Sequence, residues 1–292
     1  MITDPRQLLS WVRRAGPEAL ELACAEHPDP ARGDAAADVV RVPGCLADLG
    51  THVPLELLVL GAGSVVLRLD GCSRPAEARR RHGPAAALTT ALGGSRVVLA
   101  GERTGSRRRP VLDAHHMPVA RRALLPIPAP EGPPLPPGHA TAQERLSAAA
   151  TALIAGSAPV LDDLDGPGLA LTADGCTASG VCVRSCPEGA LSLWTEGDAT
   201  ELRFDRGRCS GCGLCIERCD RGALSTTGHV PWSAVVRSVP LVLARTTTTR
   251  CRRCRAEFHP VAAGETLCPV CAFRSAHPFG SVVPSGRASR PR

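Results

Sequence analysis

The chain has 292 residues, of which 43% are hydrophobic and 21% are charged, and its formal net charge is +6 at pH 7. This composition excludes an intrinsically disordered chain and is typical of a folded protein with two or three domains. No apolar run reaches the roughly 20 residues of a membrane-spanning helix, and the opening residues MITDPRQLLSWVRR contain no apolar core of a secretion signal. We therefore expect a cytoplasmic protein without membrane insertion.

The positive charge does not favour a nucleic-acid partner. Lysine, asparagine and tyrosine are absent, so the basic side chains are arginines and histidines, a bias expected from a GC-rich coding sequence. The arginine runs at 79–82 and 106–110 are typical of solvated faces or loops, where they could steer an acidic redox partner.

Short β-branched runs alternate with helical patterns over residues 1–125. We predict strands at 19–24, 38–45, 64–72 and 95–101, with helices at 52–61 and 84–94. Alternation of this kind predicts an α/β domain built on a doubly wound parallel sheet.

Three of the four predicted strands end in a cysteine, at Cys24, Cys45 and Cys72. Because the carboxyl ends of parallel strands meet along one edge of the sheet, we expect these thiols to converge there. The alternative is that each cysteine is a small buried hydrophobic residue without a ligand role.

The order LACAEH, RVPGCLADLG and LLVLGAGSVVLRLDGC between Ala19 and Gly101 resembles the iron–sulfur delta subunit of methyl-viologen-reducing hydrogenase. The resemblance implies a [2Fe–2S] cluster held by Cys24, Cys45 and Cys72, and a partner oxidoreductase complex. Three thiolates are one fewer than such a cluster usually takes, so a retained fold with a lost or altered cluster is the alternative.

A proline-rich segment, PIPAPEGPPLPPGHA at 126–140, predicts a semi-rigid spacer between independent units. Thr141 and Glu144 then form a capping-box pattern before ERLSAAATALI. We predict a helix and connector over residues 141–166.

The stretch CTASGVCVRSCPEGALSL, which begins at Cys176, recurs 33 residues later as CSGCGLCIERCDRGALST. Three cysteines and the Gly-Ala-Leu-Ser segment fall in register between the copies. The repeat indicates two βαβ halves related by a pseudo-two-fold axis. Trp194, on the strand predicted after the first copy, is expected to pack in the core.

Both copies resemble the bacterial two-cluster ferredoxin, whose loops follow Cys-x2-Cys-x2-Cys-x3-Cys-Pro, over residues 167–228. The resemblance implies that one [4Fe–4S] cluster is held by the three leading cysteines of the second copy and by the last cysteine of the first: Cys209, Cys212, Cys215 and Cys186. Soft thiolates suit iron, and Gly211 and Gly213 allow close backbone approach. A structural zinc site is the alternative that we disfavour.

The other implied site contains Cys176, Cys182 and Cys219, with Ser179 where the fourth cysteine is missing. The resemblance implies a [3Fe–4S] cluster, or a labile [4Fe–4S] cluster whose fourth iron takes Ser179 oxygen or water. An empty site is the alternative. Asp220 replaces the usual proline and is expected to affect loop rigidity but not ligation.

Two Cys-x2-Cys knuckles lie near the C-terminus in CRRCRAEFHPVAAGETLCPVC at 251–271. Their cysteines predict a zinc ribbon, following a helix, within residues 229–275: Cys251, Cys254, Cys268 and Cys271. Iron in a rubredoxin-like site is the alternative, His259 is expected to be a bystander, and the tail at 276–292 is expected to be disordered.

No nucleophile–base grouping, phosphate loop or nucleotide fingerprint stands out, so we expect no catalytic site of the chain's own. The sequence predicts an electron-transfer protein or subunit that serves a hydrogenase, formate dehydrogenase or disulfide-reductase system. The first alternative is a redox-sensing regulator that binds nucleic acid or protein through the ribbon and the arginine-rich surface. A scaffold that delivers clusters or metals is the second.

Overall fold

The computed structural model describes residues 5–33, 36–102, 105, 107–119, 140–155, 161–260 and 264–278. The predicted spacer at 126–140, apart from Ala140, lies outside the described residues, as does the predicted disordered tail beyond residue 278. Within the described ranges, no helix combines the length and the apolar character needed to cross a membrane.

The N-terminal part of the described chain contains three helices and seven strands. The helices are α1 (Arg6–Ala15), α2 (Val53–Val59) and α3 (Pro75–Ala91). The strands are β1 (Ala19–Ala23), β2 (Arg32–Gly33), β3 (Asp38–Arg41), β4 (Ser64–Arg68), β5 (Val97–Ala100), β6 (Arg107–Arg108) and β7 (Val111–Asp113).

Five of these strands form one sheet in the order β5-β4-β1-β3-β7, and every neighbouring pair is parallel. The predicted parallel sheet is thus confirmed, with β1 at its centre. Strand β7 was not predicted. Its three residues follow an arginine run and are too few to show the alternation of apolar and polar side chains that indicates a strand. Strands β2 and β6 pair separately in an antiparallel ribbon.

Helix α3 begins at Pro75, well before Pro84, where the sequence pattern predicts a helix. A Gly-Pro pair ordinarily ends a helix, yet Gly83 and Pro84 lie inside this one. Tertiary contacts hold this part of the helix against the rest of the fold: His82 is fully buried with its Nε2 atom 2.9 Å from the Leu46 carbonyl oxygen. The Trp232 indole N–H donates to the Pro84 carbonyl at 3.2 Å.

The C-terminal part of the described chain contains five helices and seven strands. The helices are α4 (Ala142–Ile154), α5 (Val181–Ser185), α6 (Leu214–Glu217), α7 (Trp232–Arg237) and α8 (Pro269–Ala276). The strands are β8 (Asp165–Ala173), β9 (Leu191–Glu196), β10 (Ala199–Asp205), β11 (Leu224–Pro231), β12 (Pro240–Thr247), β13 (Thr249–Arg250) and β14 (Glu257–Phe258).

Helix α4 begins at the predicted capping box. The Glu144 backbone N–H donates to Thr141 Oγ1 at 3.2 Å, and the Thr141 N–H donates to Glu144 Oε2 at 2.9 Å. Two amide groups that the first helical turn would leave unpaired are therefore satisfied.

The internal repeat folds as two successive units, β8-α5-β9 and β10-α6-β11. The outer strands β8 and β11 pair antiparallel, as do the inner strands β9 and β10, so the two halves interlock. Strand β12, which was not predicted, adds to β10. The expectation that Trp194 packs in the core is wrong, since its side chain is 52% exposed beneath the Arg203 guanidinium.

A single buried apolar cluster runs through the parallel sheet, α4 and the repeat. Where α2 packs against α4, this cluster encloses a buried ion pair. Arg145 Nε and Nη2 donate to the two carboxylate oxygens of Glu56 at 2.7 and 2.6 Å. Because Glu56 is fully buried, the pair ties the sheet to the cysteine repeat at one defined position.

We expect Arg145→Met to lower the free energy of unfolding by about 3–5 kcal/mol, because it removes the two charge-assisted hydrogen bonds that Arg145 donates to the buried Glu56 carboxylate. The control is Arg208→Ala, which removes an exposed ion pair to Glu144 and should cost less than about 1 kcal/mol. Urea unfolding, followed by circular dichroism under anaerobic conditions, measures the free energy of unfolding of both variants. Equal losses in the two variants would contradict a stabilising role for the buried Glu56–Arg145 pair.

Candidate metal centres

The two cysteine loops, called here the first loop (176–186) and the second loop (209–219), share one backbone conformation. Gly180 and Gly213 adopt φ of 73° and 75° immediately before α5 and α6. Ala178 adopts φ of 50° at the position that Gly211 occupies, with φ of 74°, in the second loop. Since a left-handed alanine costs about 1–2 kcal/mol, the first loop keeps a strained conformation despite its missing cysteine.

Backbone N–H groups point at the sulfur atoms of both loops. The Ala190 N–H lies 3.3 Å from Cys186 Sγ, and the Ala223 N–H lies 3.2 Å from Cys219 Sγ at the equivalent position of the repeat. The Ala178 N–H also donates to Cys176 Sγ, at 3.4 Å. Such donors orient thiolate ligands and stabilise their negative charge.

One cavity is lined by cysteines from both loops and is called here the complete site: Cys186, Cys209, Cys212 and Cys215. Cys186 reaches it from the first loop because the antiparallel pairing of β8 with β11 brings the loops together. Leu169, Leu171 and Phe204 supply an apolar wall.

A second cavity is lined by three cysteines and Ser179 and is called here the serine site: Cys176, Cys182, Cys219 and Ser179. Asp220 lines the same cavity, and its Oδ1 accepts a hydrogen bond from Ser179 Oγ at 3.0 Å. The expectation that Asp220 matters only for loop rigidity is therefore incomplete. Ser179 and Asp220 are the two residues that depart from the ferredoxin loop pattern, and both lie at this site. The sequence alone already shows both departures.

The spacing of the thiols separates these sites from single-ion sites. Four thiolates at the zinc–sulfur distance of 2.3 Å lie about 3.8 Å from one another. The sulfur atoms of neither loop site fall within 4.8 Å of one another as a set, whereas two other cysteine groups in the described chain do. The thiols of each loop site are therefore spaced more widely than the ligands of one tetrahedral zinc ion.

Burial raises the pKa of the Cys182 and Cys209 thiols, and it raises the pKa of Cys215 to about 11. The iron ligand is the thiolate, so the protein alone disfavours the charged form that the site needs. Nearby cations must supply the compensating charge, which a cluster of iron ions does.

Helix α4 holds the second loop in place. Gln143 is almost fully buried, and its Nε2 donates to the carbonyl of Cys209 at 2.8 Å. Its neighbour Glu144 accepts from Arg208 at 3.1 Å. The loop that supplies three ligands of the complete site is thereby connected to the Glu56–Arg145 pair and to the N-terminal sheet.

Comparison with known protein families agrees with this geometry. Residues 175–223 match the family model of a 4Fe-4S dicluster domain. No curated protein matches the chain. The match covers both loops of this dicluster domain and supports an iron–sulfur cofactor with an electron-transfer role.

Outside the dicluster domain, the structure brings Cys24, Cys45 and Cys72 together at the carboxyl edge of the parallel sheet, as expected. Their sulfur atoms all lie within 4.8 Å of one another, and Cys45 Sγ is 3.5 Å from Cys72 Sγ. The N–H of Leu46 donates to Cys24 Sγ at 3.3 Å, and that of Ala47 donates to Cys45 Sγ at 3.4 Å. This three-thiol group has the spacing of a metal centre.

The three thiols of this group differ in pKa, because each has different surroundings. Burial raises the pKa of Cys24 to about 12 and also raises that of Cys72. Burial acts on Cys45 as well, but the Ala47 N–H, Cys72 and Arg74 outweigh it and lower the pKa of that thiol. Cys45 is therefore the most easily deprotonated of the three thiols.

A buried polar network fixes the turns that carry two of these cysteines. Arg68, at the end of β4, donates to Asp70 Oδ2 at 2.7 Å and lies 3.3 Å from His27 Nε2. His27 follows Cys24 and Asp70 precedes Cys72, so the network joins their two turns. Preorganised turns of this kind reduce the entropy lost when ligands gather around a metal.

At the C-terminus, four thiols lie within 4.8 Å of one another: Cys251, Cys254, Cys268 and Cys271. The sulfur atoms of Cys254 and Cys268 are 3.7 Å apart, close to the spacing that a tetrahedral zinc ion requires. The buried cluster of this segment consists of three of these cysteines and Phe258, with Leu267 packed against it. His259 hydrogen-bonds Thr246 through Nδ1 at 3.0 Å and is not part of the group.

Proposed function

We propose that this chain is an iron–sulfur electron-transfer component that relays single electrons to or from a partner oxidoreductase. The observation that carries the proposal is the pair of cavities in the dicluster domain, each lined by cysteines from both loops. The interlocked arrangement is the one that two cubane clusters require.

In this proposal the complete site holds a [4Fe–4S] cluster, and the serine site holds a second cluster of three or four irons. Such clusters accept and release one electron at a time. The protein contributes the thiolates, the N–H donors at Ala190 and Ala223, and the apolar wall of each cavity. Together these groups exclude water and set the reduction potential.

The two sites are close enough to exchange electrons, because α5 connects them. Cys182 belongs to the serine site and Cys186, which caps the same helix, belongs to the complete site. At the helical rise per residue their backbones are about 6 Å apart along the axis. Cys212 and Ser179 are exposed, so each site has a corner at the surface where a partner can dock.

The partner class follows from the resemblance of the N-terminal domain to the hydrogenase delta subunit. We propose a hydrogenase, formate dehydrogenase or disulfide-reductase system, in which the three-thiol group holds a further metal centre, a [2Fe–2S] cluster in that family. The proposed units are the α/β domain at 1–125, the spacer at 126–140, the helix and connector at 141–166, the dicluster domain at 167–228 and a zinc ribbon within 229–275.

We expect Cys212→Ala to remove or convert the reducible [4Fe–4S] signal in electron paramagnetic resonance of the anaerobically purified protein, because one of four ligands is lost. Ser179→Ala, at the matching position of the first loop, is the control and should leave that signal unchanged. A wild-type spectrum from Cys212→Ala, or purified protein that contains zinc but no iron and sulfide, would sink the electron-transfer proposal.

Metal analysis tests the three-thiol group. The triple variant Cys24→Ala, Cys45→Ala, Cys72→Ala should contain less metal than wild type while keeping both dicluster signals, since its changes lie at the edge of the parallel sheet and not in either cysteine loop. A loss of about two irons and two sulfides per chain indicates [2Fe–2S], whereas the loss of about one metal without sulfide indicates a single ion. Unchanged metal content means that the group is vacant.

For the C-terminal knuckles we expect Cys268→Ser to abolish about one bound zinc per chain and to make residues 249–276 sensitive to protease, because the metal replaces a core there. His259→Ala is the control and should retain the zinc. If elemental analysis finds iron at this site, or if Cys268→Ser keeps its zinc, the zinc-ribbon assignment is wrong.

A further inference from the structure

The serine site contains two departures from the ferredoxin loop pattern, and they touch each other. Ser179 stands where the second loop has Cys212, and Asp220 stands where the first loop has Pro187. The complete site has neither change. Although 41 residues separate them along the chain, Ser179 Oγ and Asp220 Oδ1 form a hydrogen bond of 3.0 Å. A thiolate has thus been lost and a carboxylate gained at one corner of one cavity.

We propose that Asp220 supplies the fourth ligand of the cluster in the serine site, and that Ser179 positions its carboxylate. The inference depends on the proposed function, because it needs a cluster in that cavity. Asp220 lines the cavity together with Cys176, Cys182 and Cys219. Its neighbour Cys219 already belongs to the site, so the backbone that carries Asp220 is held beside the cavity.

Chemistry favours the carboxylate over the hydroxyl as the ligand. A carboxylate is a metal ligand in its ionised form, whereas a serine oxygen must first lose its proton. The hydrogen bond from Ser179 engages Oδ1, and within the described part of the chain no hydrogen bond to Oδ2 is present. One carboxylate oxygen is therefore oriented by serine while the other is available to iron.

The surroundings tolerate the added negative charge. Arg221 lines the same cavity, and Arg184 Nη2 donates to the carbonyl of Ser179 at 3.4 Å. Ser179 and Asp220 are both exposed, as is Cys212 at the equivalent corner of the complete site. An oxygen ligand at an exposed corner exchanges more easily than a thiolate, so this iron is the replaceable one of the cluster.

Ser179 is a positioning residue in this proposal, and the two roles separate by substitution. We expect Asp220→Asn to lose about one iron per chain and to gain the paramagnetic signal of an oxidised three-iron cluster. Ser179→Ala should keep the fourth iron, because the carboxylate remains. Iron analysis, Mössbauer spectroscopy and electron paramagnetic resonance of anaerobically reconstituted full-length protein measure these outcomes.

The double variant Ser179→Cys with Asp220→Asn guards against misfolding as an explanation. It restores a thiolate at the corner, so the fourth iron should return and the three-iron signal should disappear. A single variant Asp220→Pro, which copies Pro187 of the complete site, should behave like Asp220→Asn.

The proposal is overturned if Asp220→Asn matches wild type in iron content and spectrum, or if wild-type protein already carries the three-iron signal. Loss of the fourth iron in Ser179→Ala but not in Asp220→Asn would assign ligation to serine instead. The Cys212-dependent signal of the complete site is the internal reference throughout. If that signal is absent from wild type, the electron-transfer proposal itself has failed and not the role of Asp220.

Discussion

The exchange of cysteines between two loops is the constraint on which the dicluster domain depends. Cys186 and Cys219 each serve the cavity of the opposite loop. The exchange works only if β8 pairs with β11 and β9 with β10, because that pairing sets the loops against each other. Neither half of the repeat supplies all the cysteines of a cavity, so each cavity forms only when the two halves pack together.

Burial works against the cofactor-free state of these sites. Apolar walls and distance from solvent raise the pKa of Cys182, Cys209 and Cys215, which disfavours the thiolates. The same low dielectric strengthens every attraction between a thiolate and a bound cation. A bound metal cofactor would supply the positive counter-charge that these buried thiolates lack in the protein alone.

The cysteine groups of the described chain fall into two classes by the spacing of their sulfur atoms. The four C-terminal thiols and the three-thiol group each lie within 4.8 Å of one another, whereas the cysteines of the complete site and of the serine site are spaced more widely around their cavities. The fold therefore builds both compact thiol groups and wider cysteine-lined cavities. The Glu56–Arg145 pair and the contact of Gln143 with the second loop connect the sheet domain to the complete site. The three-thiol edge and the dicluster domain are thus parts of one packed body.

The sequence by itself determined the repeat, the parallel sheet, the capping box of α4 and the cysteines that gather at each site, because these depend on spacing and local pattern. Tertiary contacts decided the rest. The run of α3 through Gly83 and Pro84 depends on distant partners such as Trp232. The short strand β7 exists because β3 offers it an edge. The contact between Asp220 and Ser179 was hidden for the same reason: it joins residues far apart in the chain, and no local pattern records which loops the fold brings together.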